Sequence, residues 1–263
     1  METYLDPSTQ SAAAELLHYI HHQATGRLIV VHKSTQYYFD LFQGQIATAV
    51  SSVHRRRRWQ RAVQQQVPQL QHHLEPKATQ QNWERSHLHH GVSEGWLTCN
   101  QAKAILRDCT REVLFSLTHV SKYKLYWQAS NSNLCPRWTL SRRILESLYE
   151  EVQELSANWQ ELGLKPQWVY HAFQLDQSLD LRANVFSNLT ACLDGTHSFW
   201  DLTSDLSVSR ATVSRILHHF LEQGIVQRRP LADLPAEEPP QPSLAETMEL
   251  DGHISYIPEM VLA

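Results

Sequence analysis

The chain has 263 residues, 42% of them hydrophobic and 19% charged, enough apolar material for one large folded unit or two smaller ones. The net charge of -4 is unevenly spread: from Leu231 onward there are seven acids and no Lys or Arg, leaving 23 basic against 20 acidic side chains in the first 230 residues. No apolar run approaches the ~20 residues needed to cross a bilayer, and Met1–Asp6 lacks a basic region followed by an apolar core, so a cytoplasmic location is expected.

Ser11 to Gln23 reads as a helix, with Leu16, Leu17, Ile20 and Ala24 at helical spacing and Thr25-Gly26 as its stop. Three strand-like runs follow: Arg27–His32, Gln36–Phe42 and Gln45–Val50, with Gln43-Gly44 as a tight turn. Together they predict an antiparallel meander, which needs a layer of helices against it. Val53 to Val63 predicts a helix with Trp59, Val63 and Val67 on one face. Arg57 and Arg61 fall on the opposite face with Arg58 beside them, giving an expected basic outer surface.

Trp83 to Gly91 predicts a histidine-rich helix, and Thr98 or Asn100 can cap the next, whose stripe is Ala104, Ile105, Val113, Leu114 and Leu117. Tyr123 to Gln128 reads as a strand. Leu140 to Leu162 is the strongest helix, with Ile144, Leu145, Leu148, Val152, Leu155 and Trp159 on its buried face and Gly163 with Pro166 beyond it. Asn184 to Arg229 predicts a separate small unit. It has a helix through Val185, Phe186, Leu189 and Leu193, and a second opened by a Ser198/Asp201 capping box. Ser207-Val208-Ser209 is the turn, and Ser209 caps a third helix whose inner face is Val213, Ile216, Leu217, Phe220 and Leu221. Ile225–Gln227 would start a wing, so the order is helix-turn-helix with winged-helix character. From Leu231 the chain is acidic and rich in proline, which predicts linker or disorder, with His253–Ile257 as a short docking strand.

Chemistry-bearing motifs are absent: no phosphate-binding glycine loop, nucleophile elbow or H-E-x-x-H occurs. Neither an enzyme nor a cofactor is expected. Cys99, Cys109, Cys135 and Cys192 are scattered without a C-x-x-C pair, which predicts free, mostly buried thiols and no zinc or redox site. Of the sixteen histidines, His87 and His90 have a chelating spacing, yet no carboxylate or thiolate completes a set, so no metal is expected.

Two features carry functional weight. The basic run offers Arg57, Arg58 and Arg61 for gripping an acidic protein surface, for phosphates, or as a solvated helix face. The helix-turn-helix would place Arg210, Ser214 and Arg215 where a recognition helix reads bases. Against DNA, Thr196 to Pro230 balances four arginines with three acids, a small positive surplus for a duplex reader.

Several runs also occur in a familiar order. They are Gly26-Arg27-Leu28, Tyr38-Phe39 and Gly44–Ala49, then His54 with the Arg-Arg-Trp run, Gln64–Gln66 and Pro68. Trp83-Glu84, Gln101-Ala102, Ile105–Arg107, Glu112–Phe115, Leu193–Thr196 and Asp201-Leu202 come after. From about Ser11 to Pro230 this resembles the PATAN domain, the N-terminal domain of cyanobacterial PatA-type response regulators. The resemblance implies two-component signalling by protein-protein contact, in phototaxis, type IV pilus control or heterocyst patterning. The implied partner is a signalling or pilus-motor component. Residues 231–263 show neither the βα repeat nor the acidic pocket of the receiver domain such proteins usually carry at that end.

The expected fold is α+β: a small antiparallel meander packed with helices and a helical middle (1–183), a winged-helix-like helix-turn-helix unit (184–230), and an acidic, proline-rich, largely disordered tail (231–263). The expected function is a non-enzymatic signalling adaptor and response-regulator output module. The alternative is a DNA-binding regulator.

Overall fold

The computed structural model describes residues 3–5, 11–74, 82–130, 137–176, 187–206 and 208–235. The expected strand at 253–257, the start of the helix expected from Asn184, and Cys135 lie outside them.

Helix α1 (Ala12–His21) begins where Ser11 Oγ accepts from the Ala14 N–H at 3.2 Å, and it buries Ala12, Ala13, Leu16 and Ile20. Strands β2 (Gly26–His32), β3 (Thr35–Phe42) and β4 (Gln45–Ser51) form the meander. The β3–β4 turn is a two-residue loop in which Gln43 (φ 47°) and Gly44 (φ 72°) are both left-handed. That geometry matches the twist of a hairpin. Glycine is required at 44, because a Cβ there would sit 2.3 Å from the Ile20 carbonyl oxygen. Two more strands extend the sheet on the other side: β5 (Lys124–Ala129) pairs with β2, and β1 (Thr3–Leu5) pairs with β5. The order is β1-β5-β2-β3-β4, antiparallel throughout.

Alternation puts Leu28, Val30, Tyr37, Phe39, Leu41 and Leu125 on the buried face. Helix α4 (Cys99–Thr118) is the central helix of the fold. It opens with a Thr98/Gln101 capping box and is buried on most of its circumference, so Thr110, Arg111 and Glu112 are inside along with its leucines. Helix α2 (Arg55–Gln66), helix α3 (Trp83–Ser93) and helix α5 (Arg142–Glu161) surround it, α5 through Leu145, Leu148, Val152, Leu155 and Trp159. Short 3-10 turns lie at Pro68–Leu74 and Pro166–Tyr170.

A second antiparallel sheet has the order β7-β6-β8, from β6 (His171–Leu175), β7 (Asp194–Ser198) and β8 (Val226–Pro230). Between its strands run α6 (Ser187–Cys192), α7 (Phe199–Asp205) and α8 (Arg210–Glu222). Helix α7 has the Ser198/Asp201 capping box, and Ser209 accepts from the Thr212 N–H at the start of α8. The division expected between 183 and 184 runs through this sheet, since β6 precedes it and both its partners follow it. The cores also merge: Phe115, Trp159, Phe199 and Trp200, from α4, α5 and α7, meet edge to face with centroids 4.9–5.8 Å apart. The expected strand 225–227 is β8, hydrogen-bonded to β6. Among the described residues, no helix is long and apolar enough to cross a membrane.

Candidate functional site, the arginine helix and its strap

Helix α2 starts under unusual conditions. Four arginines occupy positions 55 to 58, no acid lies in the first turn, and the preceding residue, His54, is left-handed (φ 47°) and supplies no side-chain cap. The free N–H groups of a helix start call for an acceptor, and their partial positive charge favours an anion. Asp233 supplies it from 177 residues away: its carboxylate accepts from the Arg56 N–H at 3.1 Å and the Arg57 N–H at 3.0 Å.

The rest of the 231–235 segment is held by its main chain. His54 Nε2 donates to the Leu231 carbonyl at 2.7 Å, Arg57 Nε to the Ala232 carbonyl at 2.8 Å, and Arg56 Nη1 to the Pro235 carbonyl at 3.0 Å. A carbonyl only accepts, so His54 carries its proton on Nε2. Burial pushes the His54 pKa below its ordinary value, partly offset by the Leu231 carbonyl and Asp233. The start of the expected tail is therefore a strap docked on α2. Residues 236–263 lie outside the described set.

The arginines expected on an outer basic surface do not form one. Arg58 is 2% exposed; its guanidinium donates to the Ser51 carbonyl at 2.9 Å and the Val53 carbonyl at 3.1 Å. Arg61 is 7% exposed, bound in two-pronged fashion by Glu112 of α4 at 2.8 and 2.9 Å and also by Asp201 of α7. Burial alone would lower the Arg61 pKa, but the two carboxylates outweigh it and push it up. Asp201 is the reciprocal case: burial raises its pKa, while Arg61 and the Ser198 donors hold it below the usual carboxylate range. Helical periodicity finds the face opposite Trp59, but it has no knowledge of α7, which covers that face. Arg57 alone of the three stays partly exposed, and its guanidinium is on the strap. Arg55 pairs with Glu84 and lies over the Trp83 ring, 5.2 Å from its centroid.

Beside α2 lies a polar cleft of about 630 Å³. One wall carries Arg57, Gln60, Gln64 and Gln65; the other carries Thr196, His197, Ser204 and Asp205. Its lining is mainly amide, hydroxyl and charged groups, which suits hydrogen bonding to a polar chain. His197 is held within its own wall, its Nδ1 donating to an Asp194 carboxylate oxygen at 2.9 Å and its Nε2 lying 3.7 Å from Asp205. Among the described residues, no group of three His, Cys, Asp or Glu is arranged to hold a metal ion. His87 of the expected chelating pair is taken up otherwise, with Nδ1 on the Trp83 carbonyl at 2.8 Å and its ring against Trp59 and Trp83.

The base-reading residues are also placed differently from expectation. Ser214 is fully buried, and Arg210 is paired with Glu151 of α5 at 2.7 Å. Glu151 also holds Arg111, at 2.8 Å. Helix α5 thus covers the side of α8 that would enter a groove, and of the three only Arg215 is exposed. Asp233 as the cap of α2, and Glu112 and Asp201 as partners of Arg61, are what sequence reasoning missed. The signal for the first was present: an arginine run with no Ser, Thr, Asp or Asn at its start must find its cap elsewhere. No family model, no curated protein and no solved structure matches this chain.

Proposed function

We propose that this chain is a non-enzymatic signalling adaptor that works by protein contact, an output module of the PATAN type serving phototaxis or type IV pilus control. The observation that carries the reading is the hydrogen-bonding cleft beside α2, where Gln60 and Gln64 are exposed one helical turn apart opposite Thr196 and Ser204. Amide side chains at that spacing suit the main chain of a docked segment. We take α6 to α8 with β6 to β8 as a winged-helix-like unit that forms one wall of the cleft. In this reading it packs on α5 and does not read DNA.

The test is affinity capture from native lysate with the wild-type chain and the Gln60→Glu/Gln64→Glu variant, each with and without nuclease. Both positions are exposed, so the variant keeps its fold. The adaptor reading expects a nuclease-resistant protein partner whose recovery falls at least about tenfold with the variant, an order-of-magnitude loss equivalent to ~1.4 kcal/mol. Equal recovery by the two chains, or retention that nuclease abolishes, overturns it. Retained DNA whose affinity falls steeply with salt would instead favour the DNA-binding regulator.

A further inference from the structure

We infer that the N-terminal end of α2 is a receptor for an acidic, extended segment of a partner protein, and that residues 231–235 fill it in cis. This goes beyond the adaptor reading, which concerns the neighbouring cleft.

Three observations point to the occupant. The first is the occupied site itself. A carboxylate sits on two first-turn N–H groups, those of Arg56 and Arg57, of a twelve-residue helix, and three side chains that belong to the site grip the carbonyls of the same five residues. Only one side chain of the strap is read, that of Asp233. The remaining bonds go to main chain, which any sequence supplies. The receptor therefore recognises an aspartate within an extended run rather than one particular peptide.

The second is a charge mismatch. Among the described residues, the Arg56 and Arg57 guanidiniums meet strap carbonyls and form no ion pair with a carboxylate. Arginine binds carboxylates through paired charge-assisted hydrogen bonds that are roughly twice as strong as neutral ones. The site thus holds more positive charge than its own strap neutralises, and a segment with acids flanking its aspartate would complement it better.

The third is how little else holds the strap. Ala232 and Pro235 are exposed, and Leu231 and Leu234 are only partly covered. A contact so polar and so short depends on the high effective concentration of a tethered segment, roughly millimolar. A free competitor displaces it only by binding better or by being abundant. Arg57 lines the cleft as well as holding Ala232, so an exchange of occupants would reshape the cleft mouth.

The probe is a fluorescein-labelled peptide with the sequence of residues 230–238, Pro-Leu-Ala-Asp-Leu-Pro-Ala-Glu-Glu. Binding to the full chain is followed by fluorescence anisotropy. The Asp233→Ala chain, whose own strap is weakened, is expected to bind it at least about tenfold more tightly than wild type. A peptide with asparagine in place of its aspartate is expected to bind neither chain, and Arg56→Ala in the Asp233→Ala background to lose most of the gain. Equal binding by wild type and Asp233→Ala overturns the inference, as does equal binding of the asparagine peptide. If Asp233→Ala does not fold, amide hydrogen exchange of the wild-type chain decides. Millimolar peptide should speed exchange in 231–235, and no change would overturn the inference. Because capture by the cleft is measured separately, either proposal can fail while the other stands.

Discussion

The Trp159 indole N–H donates to the Ser214 hydroxyl at 2.8 Å, and that hydroxyl donates in turn to the Arg210 carbonyl at 2.9 Å. One buried chain of bonds thus locks α8 onto α5. Ser214→Ala keeps the volume nearly unchanged but strands the indole N–H in the core. The expected loss is about 1–3 kcal/mol, read as a lower urea midpoint at unchanged slope. An unchanged midpoint would mean that the indole finds another partner.

Arg61 is the only cation reaching both Glu112 and Asp201 among the described ion pairs. Arg61→Ala leaves a buried carboxylate and a half-buried one without their shared cation, and about 3–5 kcal/mol of stability should be lost. Restoring neutrality with Glu112→Gln and Asp201→Asn in the same chain should recover part of it. In the native protein the lowered Asp201 pKa contributes stability that is present above its ordinary value of 3.8 and is lost as pH falls through the folded value. Arg61→Ala removes the guanidinium that depresses that pKa, so acid unfolding should begin at higher pH. Circular dichroism at stepped pH would show the shift.

His54 should make the fold sensitive to acid. It faces Asp233 and the Leu231 carbonyl on the strap, Arg57 and Arg61 on its own helix, and the Tyr170 ring 5.1 Å away. Burial lowers its folded pKa from the ordinary 6.5, so the neutral ring contributes stability that is complete above about pH 6.5 and is lost as pH falls through the folded value. The urea midpoint of unfolding should fall as pH drops below 6.5. His54→Ala should flatten that dependence. A native chain with the same profile as His54→Ala would refute it.

Cys109 should be inert in the folded chain. Burial pushes its thiol pKa well above the ordinary value, and the thiolate is the reactive form. A thiol reagent followed by mass-spectrometric mapping should label Cys109 only after denaturant is added. Labelling at native conditions would show that α4 opens locally.

Much of this architecture follows from local patterns. The meander announced itself through β-branched and aromatic runs around Gln43-Gly44, and α5 through its stripe from Leu145 to Trp159. The caps at Thr98, Ser198 and Ser209 were legible for the same reason, since a cap is a relation between residues three apart. Long-range relations were not. His171–Leu175 carries no two-residue alternation, its buried Ala172 and Phe173 being adjacent, and its pairing partners in β8 lie 51 or more residues away. The basic outer face failed likewise: Arg61 reads as exposed until α7 arrives, 140 residues later. In the candidate site, the arginine run was visible. Asp233, which turns it into an occupied site, lay in a stretch whose composition suggested only linker.

The central position of β6 bears on any attempt to dissect the protein. A fragment ending at residue 183 would retain β6 and delete both strands that pair with it. It would show two bare edges of backbone donors and acceptors, an invitation to intermolecular sheet growth, and the same cut would remove Asp233 and leave α2 uncapped. The complementary piece from 184 onward would hold β7 and β8 with no strand between them. Neither half is a module to transplant, so swaps and fusions in this protein belong at the outer turns of the first sheet.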